Sequence, residues 1–298
     1  MISAISVKDR LKNQAVASGK TFQEALTAYG LERTVYRLSI SEYKERFTLK
    51  GGVFLYALFD GEFARTTRDI DLLAQNMPND VEDMKRVFEN IFSIECDDAL
   101  KFDQGTLDVK NITEFKEYHG VNVSIMAYLD KTRVPVSIDI GFGDVIYPSR
   151  VRMNFPVLLD MDVPEIYAYS IPSVIAEKFE AIVSLEDANS RYKDFYDIYI
   201  LADRYDFDGM ELKEAVKETF EHRGTGFDDI FAFKDDFLAS EIHQIRWKAF
   251  LKKKKAMVNV ELEDVVRLIK AMLLPIVDCI VRGKEYSLTW DHKSRSWK

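Results

Sequence analysis

Cysteine and histidine are scarce in this sequence: two cysteines and four histidines occur among 298 residues. So few cysteines in a chain of this length do not make a disulfide framework, and a reducing compartment, the cytosol, is the expected one. The histidines are scattered and lack the HxH or HExxH spacing of zinc ligands. The pattern therefore argues against a disulfide-stabilised scaffold and against a zinc site.

Long apolar runs are also missing, since no run reaches the length that a membrane-spanning helix requires. Residues 1–20 are polar and carry charges throughout, unlike a secretory signal peptide. We therefore expect a cytoplasmic protein with no membrane partner. Hydrophobic residues make up 47% of the chain, which suffices for the core of one large domain or two smaller ones.

Positive charge is in deficit, because the formal net charge is −9. Proteins that bind nucleic acid through its phosphates are usually basic, so an RNA or DNA substrate would have to be held by a local patch. One candidate is the basic run Lys252 to Lys255, which follows Arg246 and Lys248. A solvated helix end is the alternative interpretation of that run.

Hydrophobic periodicity predicts a helical beginning, a mixed α/β centre and a helical end. Helical spacing extends from Val7 to Tyr36, with a break predicted at Gly30. Residues 106–141 alternate with period two, as in a β-meander, and helical spacing follows Pro172. We predict an α+β fold with a mixed sheet: a helical lead-in over 1–46, an α/β core over 47–163 and a helical C-terminal domain over 164–298.

Two aspartates at alternate positions are the most informative feature. On a strand, Asp69 and Asp71 project from the same face, while Ile70 between them points into the core. Adjacent carboxylates repel unless a cation lies between them, and Mg²⁺ prefers a few carboxylates together with phosphate oxygens. The pair therefore predicts a Mg²⁺ or Mn²⁺ site for phosphoryl or nucleotidyl transfer, with a solvated strand edge or a helix N-cap as the alternative.

Two further segments support this interpretation. Asp139 lies between the apolar Ile138 and Ile140 in a strongly β stretch, where it is either a third metal ligand or an acid on the solvated face of an antiparallel sheet. Gly51 and Gly52 precede an apolar helix. The N–H groups of such a turn can hold phosphate, although a plain tight turn has the same sequence.

The helical half contains a second group of charged residues. On a helix predicted over 173–185, Lys178 falls inside the apolar stripe. Such a lysine either extends its amine to solvent or meets an anion, for which a nucleoside triphosphate is suitable. Asp194 opens the next helix, as an N-cap or as an active-site carboxylate. Arg191 and Lys193 either bind phosphate or are surface charges.

Together these segments resemble the nucleotidyltransferase superfamily and, more narrowly, the AbiEii/AbiGii toxins of bacterial type IV toxin–antitoxin (abortive infection) systems. The resemblance covers about Thr48 to Tyr205. The superfamily at large more often has Gly-Ser at the turn, where this chain has Gly51-Gly52. The matching segments are Lys50-Gly51-Gly52; R-x-S/T-x-D-x-D at Arg65, Thr67, Asp69 and Asp71; Ile138-Asp139-Ile140; Glu177-Lys178; and R-x-K-D-x-x-D at Arg191, Lys193, Asp194 and Asp197.

The resemblance implies a nucleotidyltransferase-like mixed sheet in the core over 47–163 and a C-terminal domain over 164–298 that completes the active site. It also implies transfer of a nucleotide from an NTP to an acceptor, with tRNA 3′ ends the acceptor class known for relatives. It implies Mg²⁺ or Mn²⁺ as cofactor, in-line attack on the α-phosphate, a cognate antitoxin and a role in phage defence. The implied catalytic residues are Asp69, Asp71, Asp139, Lys178 and Asp194, of which the first three are the metal ligands. The implied nucleotide- and phosphate-binding residues are Gly51, Gly52, Arg65, Thr67, Arg68, Arg191 and Lys193.

Two other functions stay open. The same chemistry could modify protein side chains or a small molecule such as an aminoglycoside, and the basic run favours RNA only weakly. Alternatively, the chain could be a non-catalytic binding module on a decayed transferase fold. The intact set of four acidic residues and one lysine argues against decay.

Overall fold

The computed structural model describes residues 2–62, 67–112, 120–185, 191–253, 256 and 258–298. The chain forms two compact units. One spans Met1–Phe63, Thr67–Gly143 and Val151–Ala168, and the other consists mainly of Asp144–Arg150 and Tyr169–Lys298. No helix among the described residues is long and apolar enough to cross a membrane.

The first unit is built on a mixed seven-stranded sheet, as the α+β prediction requires. Its strands are β1 (Phe47–Lys50), β2 (Ile70–Ala74), β3 (Leu100–Ile112), β4 (Gly120–Leu129), β5 (Thr132–Phe142), β6 (Val151–Asn154) and β7 (Glu165–Ala168). Their order across the sheet is β3-β4-β5-β2-β1-β7-β6. The predicted meander is therefore present as β3–β5, and β2 lies between β1, to which it is antiparallel, and β5, to which it is parallel.

Helices cover the apolar face of this sheet. They are α1 (Ala4–Ala17), α2 (Phe22–Ile40), α3 (Gly51–Leu58) and α4 (Val81–Phe92). The helix α2 begins with a capping box, in which Thr21 and Glu24 each accept from the other's backbone N–H. Its apolar side packs with α1 against β4 and β5 through a buried cluster that includes Val7, Leu11, Leu26, Tyr29, Ala127, Leu129 and Val134.

The predicted helix break at Gly30 is wrong, because the chain turns between α1 and α2 at residues 18–21 instead. Gly30 lies inside α2 and is buried. A Cβ atom at this position would lie 2.6 Å from Val134 Cγ1 on β5. The glycine therefore allows the helix to approach the sheet closely, a packing requirement that sequence periodicity alone does not reveal.

The second unit is helical, as predicted, with a small sheet added. Its helices are α5 (Ile171–Ser184), α6 (Tyr192–Arg204), α7 (Gly209–Arg223), α8 (Asp235–Ala239), α9 (Glu241–Lys253) and α10 (Leu262–Val281). The strands β8 (Phe207–Asp208), β9 (Thr289–Asp291) and β10 (Ser296–Trp297) form an antiparallel sheet. Two tryptophan indoles hold this sheet on the helices: Trp290 donates to Ala202 O and Trp297 to Met272 O.

Candidate active site

The structure brings together the three aspartates of the first unit. Asp69 immediately precedes β2, Asp71 lies within it, and Asp139 is the direct register partner of Asp71 on the neighbouring parallel strand β5. Each carboxylate offers an oxygen, and these oxygens all lie within 4.8 Å of one another. Three carboxylates this close repel one another strongly, so a cation is a suitable partner for them.

Asn122 holds the third carboxylate in place. It is opposite Asp139 in the β4–β5 ladder, and its Nδ2 donates to Asp139 Oδ1 at 2.6 Å and to Ser137 Oγ at 2.9 Å. The sequence analysis missed this residue, although a signal for it was present. The turn at Asp130-Lys131 lies eight residues after Asn122 and eight before Asp139 (130 − 122 = 139 − 131 = 8), so a tight hairpin pairs the two.

The glycine turn fits against Asp71. Gly51 has a left-handed backbone with φ +64°, and a Cβ atom there would collide with the Asp71 carboxylate. Gly52, in the first turn of α3, donates its N–H to Asp71 Oδ2 at 3.2 Å. The Gly-Gly pair therefore has a structural role beyond a plain tight turn: it lets the strand β1 and the start of α3 lie directly against the carboxylate.

The residues that precede Asp69 turn their polar groups towards its carboxylate. Thr67 Oγ1 lies 3.4 Å and the Arg68 backbone N–H donor 3.3 Å from Asp69 Oδ1. The Arg68 side chain is exposed and lines a cleft that also contains Ser137. Arg65, which the sequence analysis assigned to phosphate binding, lies outside the described residues.

Lys178 is buried in the second unit and forms ion pairs with two carboxylates. Its side chain is 8% exposed, and its Nζ lies 3.1 Å from Asp194 Oδ1 and 2.6 Å from Asp197 Oδ2. The amine is therefore paired inside the protein, and the interpretation in which it extends to solvent is wrong. That Lys178 meets a nucleoside triphosphate stays a prediction. The N-cap interpretation of Asp194 is also wrong, because Arg191 is the N-cap of α6 and Asp194 lies in its first turn.

The remaining two phosphate candidates, Arg191 and Lys193, lie at the start of α6. Arg191 donates from Nε to Asp194 Oδ2 at 2.7 Å, with its side chain 45% exposed. Lys193 is exposed on the first turn of α6. The structure thus places Arg191 beside Lys178 and Asp194, while Lys193 stays on the surface.

A half-buried arginine that the sequence analysis missed lies close to the same helix. Arg223 donates to Glu180 Oε2 at 2.8 Å and to Asp144 Oδ1 at 3.0 Å, and it lies 3.1 Å from Glu177 Oε1. Glu177 directly precedes Lys178, and it shares a face of α5 with Glu180. Sequence separation hides this network, because the arginine is more than forty residues from each glutamate.

A second group could also hold a metal ion by composition, namely Asp206, Asp291 and His292. Its members already form hydrogen bonds or ion pairs with one another and with neighbouring residues. His292 Nδ1 lies 2.7 Å from Asp206 Oδ1, and Asp291 pairs with Lys298 and accepts from Ser294. The hydrogen bond from Lys298 has the largest effect on the pKa of Asp291, and together with the one from Ser294 it lowers that pKa. The group is therefore explained without a cation.

The basic run lies at the end of α9. Lys248 and Lys252 are exposed and four residues apart, so they share a face of the helix, and Lys253 is its last residue. Lys254 and Lys255 lie outside the described residues. The prediction that the run Lys252 to Lys255 forms a basic patch for nucleic acid therefore stays a prediction.

Comparison with known proteins gives a family match over most of the chain. The family model described as "Nucleotidyl transferase AbiEii toxin, Type IV TA system" matches residues 33–265. No curated protein matches the chain. Among solved structures, JHP933 from Helicobacter pylori is 16% identical, with a TM-score of 0.48 over 85% of this chain and 92% of that one. A nucleotidyltransferase from H. pylori, described as putative, is 15% identical, with a TM-score of 0.49 over 88% of this chain and 98% of that one.

Proposed function

The chain belongs to the AbiEii nucleotidyl transferase toxin family of type IV toxin–antitoxin systems, and from that membership we propose that it moves a nucleotide from an NTP to an RNA acceptor, the 3′ end of a tRNA. The family makes it an enzyme and a toxin whose partner is an antitoxin. The proposal adds the substrates, the metal ion and the residues. Phage defence is the biological role that we propose with them.

The observation that carries the proposal is the carboxylate group formed by Asp69, Asp71 and Asp139, at the start of β2 and on the adjacent parallel strand β5. Hard oxygen ligands on neighbouring strands fit Mg²⁺ or Mn²⁺, and two of the three carboxylates are oriented by hydrogen bonds from Gly52 and Asn122. When bound there, the cation would supply charge neutralisation at the phosphates and polarise the reacting oxygens.

The protein's own groups would position the reactants. The acceptor hydroxyl attacks the α-phosphate, a new O–P bond forms, and the bond to the β-phosphate breaks to release pyrophosphate. We assign Asp139 to assist removal of the hydroxyl proton, since Asn122 fixes its orientation. We assign Lys178 to bind the triphosphate. Asp194 is assigned to orient Lys178, because the two side chains form an ion pair. The proposed nucleotide- and phosphate-binding residues are Gly51, Gly52, Arg65, Thr67, Arg68, Arg191 and Lys193.

The proposal is tested by incubating the protein with each labelled NTP in turn, with Mg²⁺ and total RNA, and then resolving which species gains label. We expect one RNA size class to be labelled, and Asp71→Asn to abolish labelling. Asp206→Asn is the matched control, because it removes one carboxylate from the other acidic group and should retain activity.

Three outcomes would contradict parts of the proposal. Label on protein or on a small molecule would replace the RNA acceptor. Full activity in Asp71→Asn would remove the carboxylate group from the mechanism. Loss of activity in Asp206→Asn but not in Asp71→Asn would move the metal site to the second unit.

A further inference from the structure

A cleft of about 530 Å³ opens on the sheet face next to Asp139. Beyond the Asn122–Asp139 pair, the outward-facing residues of β4 and β5 form three more cross-strand pairs. In order of distance from the carboxylates they are Ser124–Ser137, Met126–Pro135 and Tyr128–Arg133. All six of these residues line the cleft, and we call them the β4–β5 track.

The track is continuous with the candidate active site. Asn122 donates to both Asp139 and Ser137, so the last group of the active site and the first residue of the track share one hydrogen-bond donor. Arg133 is six residue steps from Asp139, which at about 3.4 Å per step is about 20 Å along β5. A ligand that follows the track would therefore begin at the carboxylates and end at the Tyr128–Arg133 pair.

Charge along the track is of one sign. Among the residues that the structure describes, Arg133 and Arg68 line the cleft and no acidic side chain does. Within the described part of the chain, neither guanidinium forms a hydrogen bond or an ion pair. The chain as a whole carries 50 acidic residues against 41 lysines and arginines. Arginine without a carboxylate partner is the side chain of choice for phosphate recognition.

The small and apolar members of the track also suit a particular ligand. Serines next to Asp139 leave room for a bulky group at the reacting end, and Met126 with Pro135 offers an apolar surface in the middle. Tyr128 is half-buried and presents a ring next to Arg133 at the far end. An aromatic ring beside a free arginine, in a shallow groove, is typical of surfaces that bind single-stranded nucleic acid.

We propose that the β4–β5 track binds the single-stranded 3′ end of the RNA acceptor, with a base on Tyr128 and a backbone phosphate on Arg133. The proposal rests on the RNA acceptor of the proposed function and adds the residues that hold it. The terminal hydroxyl lies at Asp139, and the preceding nucleotides run towards the β4–β5 turn. Charge complementarity favours RNA over a protein acceptor, because a peptide offers neither regular phosphates nor bases.

The experiment measures binding of a short fluorescent single-stranded RNA to the full chain by anisotropy over a series of salt concentrations. Arg133→Gln should weaken binding several-fold and reduce the slope of log affinity against log salt by about 0.7, one phosphate contact. Tyr128→Leu should weaken binding about fivefold or more, through lost stacking, and leave the salt slope unchanged. Both side chains are on the surface side of the strand, so neither change should prevent folding.

Arg86→Gln is the matched control, since it removes the same charge from the exposed surface of α4, a helix that packs on the other face of the sheet. It should leave the affinity and the slope unchanged. Nucleotide transfer is measured on the same preparations. If the wild type labels RNA while Arg133→Gln and Tyr128→Leu bind it as Arg86→Gln does, the track is rejected and the proposed function stands.

Two other results separate the proposals further. If the wild type binds the oligonucleotide, both track variants bind it more weakly and no RNA gains label, the track is supported as a binding surface and the RNA-transfer proposal fails. If label goes to a protein acceptor and the track variants transfer it normally, the track proposal is overturned.

Discussion

Lys178 shows how one side chain combines a structural and a proposed catalytic role. Its amine is enclosed with the carboxylates of Asp194 and Asp197. Removing one member of a buried ionic group leaves the other charges without compensation, which costs about 3–5 kcal/mol. The stability of α5 against α6 therefore depends on a residue that the resemblance assigns to catalysis.

We predict that Lys178→Met lowers the free energy of unfolding by about 3 kcal/mol or more, because Asp194 and Asp197 lose their cation. Urea denaturation measures the change. Lys193→Met is the control. Lys193 is exposed on the first turn of α6, so its replacement should change the free energy of unfolding by less than about 0.5 kcal/mol. Equal stability of the two variants would show that the buried carboxylates do not need Lys178.

Glu32 is a second buried acid, far from the three active-site carboxylates in sequence. It is 1% exposed, and one of its oxygens, Oε1, has no hydrogen-bond partner among the described residues. The other accepts from the Leu158 backbone N–H at 2.7 Å. Burial raises the pKa of Glu32 to about 7, against smaller opposite effects of the Leu158 hydrogen bond and Arg33.

This shift predicts a pH dependence of stability. The folded-state pKa lies above the unfolded value of 4.5, so the stability contributed by Glu32 is fully present below pH 4.5 and is lost as the pH rises through 7. A shift of this size is worth about 3 kcal/mol in total. The side chain in Glu32→Gln cannot ionise. The free energy of unfolding of this variant should therefore rise relative to that of the wild type between pH 5 and pH 8.

The measurement is chemical denaturation at several pH values, with the difference between variant and wild type as the readout. Glu42→Gln, an exposed change in the segment after α2, should give a difference that does not vary with pH. A difference for Glu32→Gln that is equally flat would mean that the carboxyl is ionised at no unusual cost.

The start of α3 is the element on which the active-site geometry depends most. Gly51 needs a left-handed backbone and a close approach to Asp71, and these are two separate requirements. The chain offers a comparison that isolates them. Gly19 has the same φ of +64°, but a Cβ there would meet no atom within 4 Å.

We predict that Gly19→Ala and Gly51→Ala both lose about 1 kcal/mol or more of stability to backbone strain, because alanine disfavours the left-handed region. Only Gly51→Ala should also lose nucleotide transfer, since its methyl group displaces the Asp71 carboxylate. Denaturation and the transfer assay on both variants provide the test. Retained transfer in Gly51→Ala would show that Asp71 tolerates displacement.

Elements with strong local signals could be predicted from the sequence. The meander and the strand that carries Asp71 follow from alternation, and α5 follows from its apolar stripe. The features that could not be predicted depend on residues that are distant in sequence. Gly30 lies inside α2 at a point where a Cβ atom would collide with Val134 on β5. The short strands β8–β10 exist because two indoles bind distant helices.

The candidate site divides in the same way. The aspartates and the glycine turn were found because each lies within a few residues of its own signal, while Arg223 was missed because its partners are distant in sequence. The role of Lys178 was only half predictable. Its burial follows from helical spacing, but the identity of its anion, two carboxylates from α6, depends on how the helices pack.

For the whole protein, membership of a toxin family predicts that expression without its antitoxin arrests bacterial growth. If toxicity arises from transfer, Asp71→Asn should permit growth at an equal level of protein, because it removes a member of the carboxylate group. Growth curves with protein levels followed by blotting test this, and Asp206→Asn should stay toxic. Arrest by Asp71→Asn would separate toxicity from this chemistry.

The pairing of β2 with β5 determines how much of the chain must leave the ribosome before the three carboxylates can come together. Asp71 and Asp139 are register partners although 68 residues separate them (139 − 71 = 68). Parallel neighbours cannot be joined by a tight turn, so the whole meander must be synthesised before the third carboxylate arrives. A product that ends before Thr132 contains Asp69 and Asp71 but lacks β5. Translation halted in the first part of the message should therefore yield fragments that are harmless to the cell.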